Sequence, residues 1–257
     1  MLPCFDLTGR TAVVTGAGKG LGRAFSKAIA ASGASVLGLS RTREDLQILK
    51  EEIAAAGGKF DLFVADILDE LAIQAAVAFC LDRFGPPDVL VNNAGLGRVN
   101  KPFEEITTAE WRRTVDNNIT GTFICSKYFG LEMVRRKRGK IVNLASMSGL
   151  IANKGVHCGP YEASKLGIVA LTRSLASEWC AHGVTVNALA PGYIATRRNG
   201  EFFASHPEFT RKAIEMIPVG RIPTPDEIAG VMVFLCSDAS NYMNGAVLVL
   251  DGGYTIW

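Results

Sequence analysis

The sequence predicts an α/β fold: a Rossmann-like, doubly wound parallel sheet of about seven strands, with helices on both faces. Short apolar runs rich in β-branched residues alternate along the chain with longer amphipathic segments. The apolar runs are continuous, as is typical of strands covered on both faces. Strands that alternate with helices form parallel sheets through right-handed crossovers, and this places helices on both sides.

The predicted strands end in Gly, Asn, Ser or Asp and cover 11–16, 34–40, 60–66, 88–95, 140–146, 184–192 and 246–253. The predicted helices cover 21–32, 42–56, 69–84, 108–137, 160–182 and 225–237. No linker or repeat interrupts this order, so we expect residues 1–257 to form a single domain. A segment near 193–217 breaks the alternation, which predicts a lid.

Composition excludes several functional classes. The chain has 27 basic and 25 acidic residues, and this balance argues against nucleic acid or a membrane as the main partner. Its six cysteines form no C-x-x-C pair, which argues against a metal site and favours a reducing compartment. The amino-terminal segment lacks the shape of a secretory signal, and no long apolar run occurs. We therefore expect a soluble, cytoplasmic protein.

A glycine-rich turn joins the first strand to the first helix. Residues without side chains let the backbone approach a phosphate, and the helix end offers free N–H groups. The turn is neither G-x-G-x-x-G nor a Walker loop, but its position between strand and helix favours a dinucleotide site. The predicted contacts are Gly16, Gly18, Lys19, Gly20, Leu21 and Gly22.

The end of the second strand predicts which dinucleotide is bound. An acid commonly stands there to hold the adenosine ribose, but here Ser40 is followed by Arg41 and, one residue later, Arg43. A guanidinium suits a 2′-phosphate, and Lys19 of the glycine-rich turn can join it. The pattern favours NADP(H) over NAD(H). The alternative is that both arginines simply begin a solvated helix.

A catalytic pair is predicted in YEASK. Tyr161 and Lys165 stand four residues apart near the start of a helix, so they share one face. A cation near a phenol lowers its pKa toward working pH. Ser146 ends a strand upstream, and Asn118 lies inside a predicted helix, where an amide is uncommon. The alternative for Asn118 is a helix kink or a satisfied core amide.

These motifs together resemble the short-chain dehydrogenase/reductase family, in its compact single-domain branch. The match runs through TGAGKGLG, NNAG at 92–95, Asn118, Ser146, YEASK, PGYIAT at 191–196 and DGG at 251–253. The resemblance implies that Tyr161 is the general acid/base, that Lys165 holds the nicotinamide ribose and that Ser146 orients the carbonyl. It also implies that Asn118 supports a water in a proton relay. Ser148 is the rival of Ser146 when positions are counted back from Tyr161.

The resemblance further implies cofactor contacts beyond the glycine-rich turn and a homotetramer. The implied contacts are Asp66, Ile67, Asn92, Ala94, Gly95, Pro191, Gly192, Ile194 and Thr196, besides Ser40, Arg41, Tyr161 and Lys165. Within the family the chain is similar to sugar-acid oxidoreductases of the gluconate 5-dehydrogenase type. The expected activity is therefore an NADP(H)-dependent interconversion of a ketone and a secondary alcohol on a small polar molecule.

Cationic residues in the predicted substrate loops suit a carboxylate-bearing substrate. They are Arg98, Lys154, His157, Arg197 and Arg198. The tentative substrate contacts are Arg98, Ser146, His157 and Tyr193, although any single charge here is equally well explained as a solvated loop residue.

Two other functions stay open at this point. Arg135–Arg138 and Arg173 would suit an acidic acyl carrier protein, hence a 3-oxoacyl-[acyl-carrier-protein] reductase, although basic residues and Gly139 also suit a helix end. A nucleotide-binding sensor without catalysis is the other alternative. The presence of the complete catalytic set argues against it.

Overall fold

The structure is a computed structural model and describes residues 2–257. A seven-stranded parallel sheet confirms the predicted fold class. The strands are β1 (Thr11–Thr15), β2 (Ser35–Ser40), β3 (Lys59–Val64), β4 (Val89–Asn92), β5 (Gly139–Leu144), β6 (Val184–Pro191) and β7 (Val247–Leu250).

The helices cover both faces of this sheet. They are α1 (Gly20–Ala31), α2 (Arg43–Ala55), α3 (Glu70–Phe84), α4 (Thr108–Val115), α5 (Gly121–Arg136), α6 (Gly159–Trp179), α7 (Arg197–Ser205), α8 (Pro207–Glu215) and α9 (Pro225–Cys236). On one face Phe25 and Ile29 of α1 pack with Met232 of α9. On the other, Phe129 and Met133 of α5 pack against the strands. The sheet is thus buried on both sides, as its apolar strands require.

The strand order is β3-β2-β1-β4-β5-β6-β7. The chain moves outward from β1 to β3, then returns to the other side of β1 and continues from β4 to β7. This reversal leaves a crevice beyond the carboxyl ends of β1 and β4. Ligands of open α/β sheets bind in such a crevice.

The predicted helix over 108–137 is interrupted where Asn118 lies. Residues Asp116–Thr120 form a π-helical turn between α4 and α5. Single π turns occur mostly at functional sites, because the extra residue redirects a side chain. Here the Asn118 side chain leaves the helix to bond Leu96 and Ser164. The predicted helical segment is thus present over 108–136, and the π-helical turn within it is the feature that the hydrophobic pattern does not predict.

The end of α5 also differs from the prediction. Lys137, not Gly139, caps the helix in the left-handed conformation, with φ of 53°. Gly139 instead opens β5, where a Cβ would lie 2.5 Å from the Met133 side chain. Close packing of the strand on α5, rather than capping, explains this glycine.

The segment near 193–217 contains two short helices, α7 and α8, joined at His206. Thr196 begins α7 by accepting a hydrogen bond from the Asn199 N–H, and Pro207 opens α8. Separately, none of the helices between residues 2 and 257 combines the length and apolar character needed to span a bilayer.

Candidate active site

A cavity of about 210 Å³ lies at the carboxyl ends of the central strands. It brings together nine of the residues singled out from the sequence: Leu21, Gly95, Ser146, Tyr161, Lys165, Pro191, Gly192, Ile194 and Thr196. These residues come from five separate stretches of the chain. The fold therefore assembles one site from the phosphate turn, the catalytic helix and the strand β6 end.

The glycine-rich turn is tightly packed beneath this cavity. Gly16 and Gly20 have φ of 65° and 53°, a region that favours glycine. A Cβ on Gly22 would lie 2.2 Å from the Gly16 carbonyl oxygen, and one on Gly18 would lie 2.8 Å from Asp45. The turn thus presents bare backbone and the amino terminus of α1, a donor set that fits a dinucleotide pyrophosphate.

Two residues that the sequence analysis missed hold this turn in place. Asn93 lines the cavity, and its Nδ2 donates to the Thr15 and Gly16 carbonyls at 2.9 and 3.2 Å. Thr15 Oγ1 accepts from the N–H groups of Asn93 and Ala94, each at 3.0 Å. The signal was present in NNAG, but the analysis selected the first asparagine of that motif.

Tyr161 and Ser146 face each other at the cavity wall. Their hydroxyl groups lie within hydrogen-bonding reach, and this contact opposes in part the rise that burial causes in the pKa of the phenol. The Ser146 Oγ also accepts the N–H of Ser148 at 3.1 Å. Ser146 lines the cavity, whereas Ser148 packs behind it. This placement favours Ser146 over its rival as the group beside the phenol.

Lys165 is buried beneath the phenol, with 6% of its surface exposed. Its Nζ donates to the Leu144 carbonyl at 2.7 Å and lies 5.7 Å from the centroid of the Tyr161 ring. Burial lowers the pKa of Lys165 to about 8. The shared helix face predicted from YEASK thus places both groups at one wall, as i, i+4 spacing requires.

The expected lowering of the tyrosine pKa is not what the structure gives. Burial raises the pKa of Tyr161 above its usual value, and the contact with Ser146 and the charge of Arg98 oppose this only in part. Desolvation disfavours the phenolate, although a pKa of about 8 keeps Lys165 mostly charged at neutral pH. Burial of Tyr161 therefore favours its protonated form.

Asn118 lies behind the cavity and fixes its neighbouring loop. Its Oδ1 accepts the Leu96 N–H at 2.7 Å, and its Nδ2 donates to the Leu96 carbonyl and to Ser164 Oγ at 3.2 and 2.8 Å. A Cβ on Gly95 would lie 2.7 Å from that Oδ1 and 3.8 Å from Lys165 Nζ. The amide is thus fully used in positioning the loop beside the lysine.

The residues expected around the adenosine lie apart from the cavity, at the ends of β2 and β3. Arg41 extends into solvent beside Asp66, with 3.7 Å between guanidinium and carboxylate, and Ser40 precedes it. Lys19 pairs with Asp45 at 2.9 Å. The sequence analysis saw no acid at the end of β2, but the fold brings two to these cations from elsewhere.

Two predicted cofactor contacts are core residues in this structure. Ile67 is buried, and it packs so closely on α5 that a Cβ on Gly121 would lie 2.3 Å from its Cδ1. The Asn92 side chain is buried and donates to Ser126 Oγ at 2.9 Å and to Asn143 Oδ1 at 2.8 Å. Their side chains therefore serve packing, and a cofactor role through the Asn92 backbone stays a prediction.

An aromatic cluster surrounds Tyr193, whose chain neighbours Gly192 and Ile194 line the cavity. Tyr193 makes edge contacts with Phe203, Phe209 and Tyr254, with ring centroids 6.1, 6.0 and 5.6 Å away. The Arg98 guanidinium lies near two rings of the lid helices, 5.4 Å from Phe202 and 5.5 Å from Phe209. It also contacts the Tyr193 side chain. These contacts pack α7 and α8 against the loop after β4.

The remaining cationic residues predicted to contact substrate do not line the cavity. His157 is exposed on the loop before α6, and Arg197 forms a solvent-exposed pair with Glu201 at 3.6 Å. That loop is instead held by a residue the sequence analysis did not select. Glu162, next to Tyr161, accepts hydrogen bonds from the backbone N–H and the Nδ2 of Asn153 at 3.0 and 2.8 Å.

Comparison with known proteins decides the family. A family model described as enoyl-(acyl carrier protein) reductase matches residues 16–255. Galactitol 2-dehydrogenase (L-tagatose-forming) of Cereibacter sphaeroides is 43% identical over 98% of both chains. The chain belongs to the short-chain dehydrogenase/reductase family. Gluconate 5-dehydrogenase of Gluconobacter oxydans is 37% identical over 98% of this chain and 97% of its own.

A solved structure gives the same result. A putative NAD(P)-dependent gluconate 5-dehydrogenase from Beutenbergia cavernae, with bound NADP, superposes with a TM-score of 0.91 at 41% identity, covering 99% of this chain and all of that one. This dehydrogenase is therefore an oxidoreductase that uses a nicotinamide cofactor and acts on the CH–OH group of a small molecule, interconverting alcohol and ketone.

Proposed function

We propose that this dehydrogenase interconverts a keto and a hydroxy sugar acid with NADP(H). The observation that carries the reaction chemistry is the meeting of Tyr161, Ser146 and Lys165 in one cavity beside the glycine-rich turn. The cofactor would be held by this turn and the residues at the end of β6, and it supplies or accepts the hydride. The chain itself supplies the proton and the orientation of the substrate oxygen.

The proton would come from Tyr161. In the reducing direction its hydroxyl donates to the carbonyl oxygen, which becomes the alcohol oxygen, and Ser146 donates a hydrogen bond to the same oxygen. The raised pKa keeps the phenol protonated before the reaction. Lys165, anchored on the Leu144 carbonyl, stabilises the phenolate that forms. Asn118 acts as a positioning residue by fixing the loop beside Lys165; its part in a water relay stays a prediction.

The preference for a carboxylate-bearing substrate would rest on Arg98. Arg98 follows Gly97, which lines the cavity, and its charge opposes in part the rise that burial causes in the pKa of Tyr161. Within residues 2–257, it forms no ion pair with an acidic side chain. A guanidinium binds a carboxylate through a planar fork, which the aromatic rings around it help to orient.

The test compares two substrates in the Arg98→Gln variant. We expect kcat/KM for 5-ketogluconate to fall by about 10- to 100-fold, because a charge-assisted hydrogen bond is lost, and kcat/KM for neutral L-tagatose to change by less than about threefold. Arg197→Gln is the matched control, because this exposed cation on α7 pairs with Glu201, and it should leave both values unchanged. Equal losses on both substrates would contradict the proposal.

A neutral polyol is the second candidate substrate, favoured by the 43% identity to galactitol 2-dehydrogenase. Turnover of L-tagatose by the wild-type chain with no turnover of 5-ketogluconate would favour the polyol.

An acyl group carried by an acyl carrier protein is a less well supported substrate. Arg136 and Arg138, which would dock it, contact Asp88 at 3.5 and 3.6 Å within the same chain.

The choice of NADP(H) is proposed from Arg41 and from the NADP-bound relative. A 2′-phosphate would replace the Asp66 carboxylate, 3.7 Å away, as the partner of this guanidinium. Arg41→Ala should therefore abolish the NADPH/NADH preference in kcat/KM, while Arg113→Ala, on α4, should not. An unchanged ratio in Arg41→Ala would contradict this choice.

We also propose a homotetramer in the cytoplasm. Large apolar side chains are exposed on α5 and α6, namely Phe123, Leu131 and Leu166, and others at the carboxyl terminus, namely Ile256 and Trp257. Apolar surface on long helices favours self-association.

The six cysteines are free thiols, as is usual in a reducing compartment. The segment near 193–217 is proposed as a lid, since its residues Ile194, Thr196 and Asn199 line the cavity.

A further inference from the structure

A second cavity, of about 590 Å³, lies at the amino ends of the strands, opposite the end of the sheet that carries Tyr161 and Lys165. Its floor is formed by Val89, Lys140 and Thr185, which are register partners on the adjacent strands β4, β5 and β6. Its wall is formed by the turn that follows α9, including Asp238 and Asn244. The volume is in the range of sites for small organic ligands.

Positive charge exceeds negative charge around this cavity, which is lined by three cationic and two acidic residues. Asp88 is bound by the Thr11 N–H at 2.9 Å and contacts Arg138 at 3.6 Å, while Asp238 pairs with Arg10 at 2.9 Å. Both acids are thus engaged by arginines. Lys140 adds a third cation, and within residues 2–257 it has no ion pair with a carboxylate.

Lys140 is also short of hydrogen bonds. Its side chain is 9% exposed, and its Nζ donates to one group, Ser240 Oγ, at 3.2 Å. An ammonium has three donors, so two point into a largely desolvated space. Burial lowers the pKa of Lys140, and the charge of Asp238 opposes this only in part, so the charged form is held at a cost in free energy. A bound anion would offset that cost.

Thr185 provides an independent sign of a ligand on the same floor. Its Oγ1 is buried and has no hydrogen-bond partner among the described residues, whereas nearly all buried hydroxyls in folded proteins have one. Thr185 is the register partner of Lys140, so the two side chains leave the sheet on the same face. An acceptor-rich group placed between them would satisfy both.

We propose that this cavity is a binding site for a phosphate group, either free or carried by a small sugar. Phosphate offers several acceptor oxygens to Lys140 and can accept from the Thr185 hydroxyl, and Arg10 and Arg138 lie at the rim to complement its charge. The site is separate from the catalytic cavity and shares no lining residue with it.

Calorimetric titration of the full chain saturated with NADP⁺, at constant ionic strength, tests this site. Saturation matters because it blocks the glycine-rich turn, which also binds phosphate. The probes are inorganic phosphate and glucose 6-phosphate, with chloride as the blank. We expect saturable binding of one phosphate group per chain; tighter binding of the sugar phosphate would identify the phosphate as sugar-borne, and the reverse as free.

Variants assign the binding to the cavity. Lys140→Met should weaken phosphate binding by about tenfold or more, because a charge-assisted hydrogen bond is lost, and isosteric Thr185→Val by about threefold. Lys59→Met is the matched control, because it removes an exposed lysine from the amino end of a strand in the same sheet, β3. Absence of saturable binding in the wild type, or equal affinity in all variants that fold, would overturn the proposal.

Discussion

At the residue scale, the catalytic groups were predictable from local spacing, but their electrostatics were not. YEASK predicts that Tyr161 and Lys165 share a face, because the rise and turn of a helix fix that relation. The pKa values depend on burial, which is set by elements distant in sequence. Lys165 was expected to act on the phenol as a full charge, whereas burial lowers its own pKa to about 8.

Lys165 should therefore cost stability. Its pKa is about 8 in the folded chain against 10.5 in the unfolded chain, so the cost is complete below pH 8 and disappears as pH rises toward 10.5. We expect Lys165→Met to raise the free energy of unfolding at pH 7 by about 1–2 kcal/mol, after allowing for the lost bond to Leu144. Urea unfolding at pH 7 and pH 10 measures this. A variant less stable than wild type at pH 7 would contradict it.

The two serines provide a second test at this scale. Ser146→Ala removes the hydroxyl next to Tyr161, so kcat/KM should fall by about 10²-fold, the usual effect of losing one donor to a developing oxyanion. Ser148→Ala is the matched control, because its N–H contact with Ser146 Oγ is retained. The assignment fails if Ser148→Ala loses more activity than Ser146→Ala.

At the element scale, the strands and most helices followed from hydrophobic pattern, with bounds within a few residues. The π turn at Asp116–Thr120 could not be predicted in this way, because it depends on the bonds that Asn118 makes with Leu96 and Ser164. Likewise, Asn93 looks like part of a loop until its two bonds to the glycine-rich turn are seen. Both features are long-range in sequence.

Glycines of two kinds test the packing of the phosphate turn. A Cβ at Gly22 would lie 2.2 Å from the Gly16 carbonyl oxygen, whereas one at Gly200 would meet nothing within 4 Å. Gly22→Ala should lower the free energy of unfolding by about 1–3 kcal/mol, and Gly200→Ala, within α7, should raise it by about 0.5–1 kcal/mol. Thermal or urea unfolding measures both. Equal stability of the two variants would show that the turn can relax.

At the scale of the whole molecule, the parallel architecture was the most predictable feature, because alternating strands and helices imply it. The strand order does not follow from that alternation, and it is this order that places the crevice between β1 and β4. The ion pairs of Lys19 and Arg41 with Asp45 and Asp66 were not predictable, because they join separate strand–helix units.

Self-association is tested by a charge on the exposed apolar surface of α5. Phe123→Glu should reduce the assembly to smaller species, because burial of an unpaired carboxylate opposes association. Leu71→Glu, an equally non-conservative change on the exposed surface of α3, is the control and should keep the wild-type mass. Analytical ultracentrifugation measures both. A wild-type chain that sediments as a monomer would refute the tetramer.

The most direct test of the account is NADPH oxidation with 5-ketogluconate by wild type and Tyr161→Phe. The variant lacks the hydroxyl that gives the proton, so kcat should fall by about 10²- to 10⁴-fold, with NADPH affinity within about twofold of wild type. Tyr242→Phe, fully exposed in the second cavity's rim, should behave as wild type. A Tyr161→Phe enzyme with unchanged kcat would contradict the account.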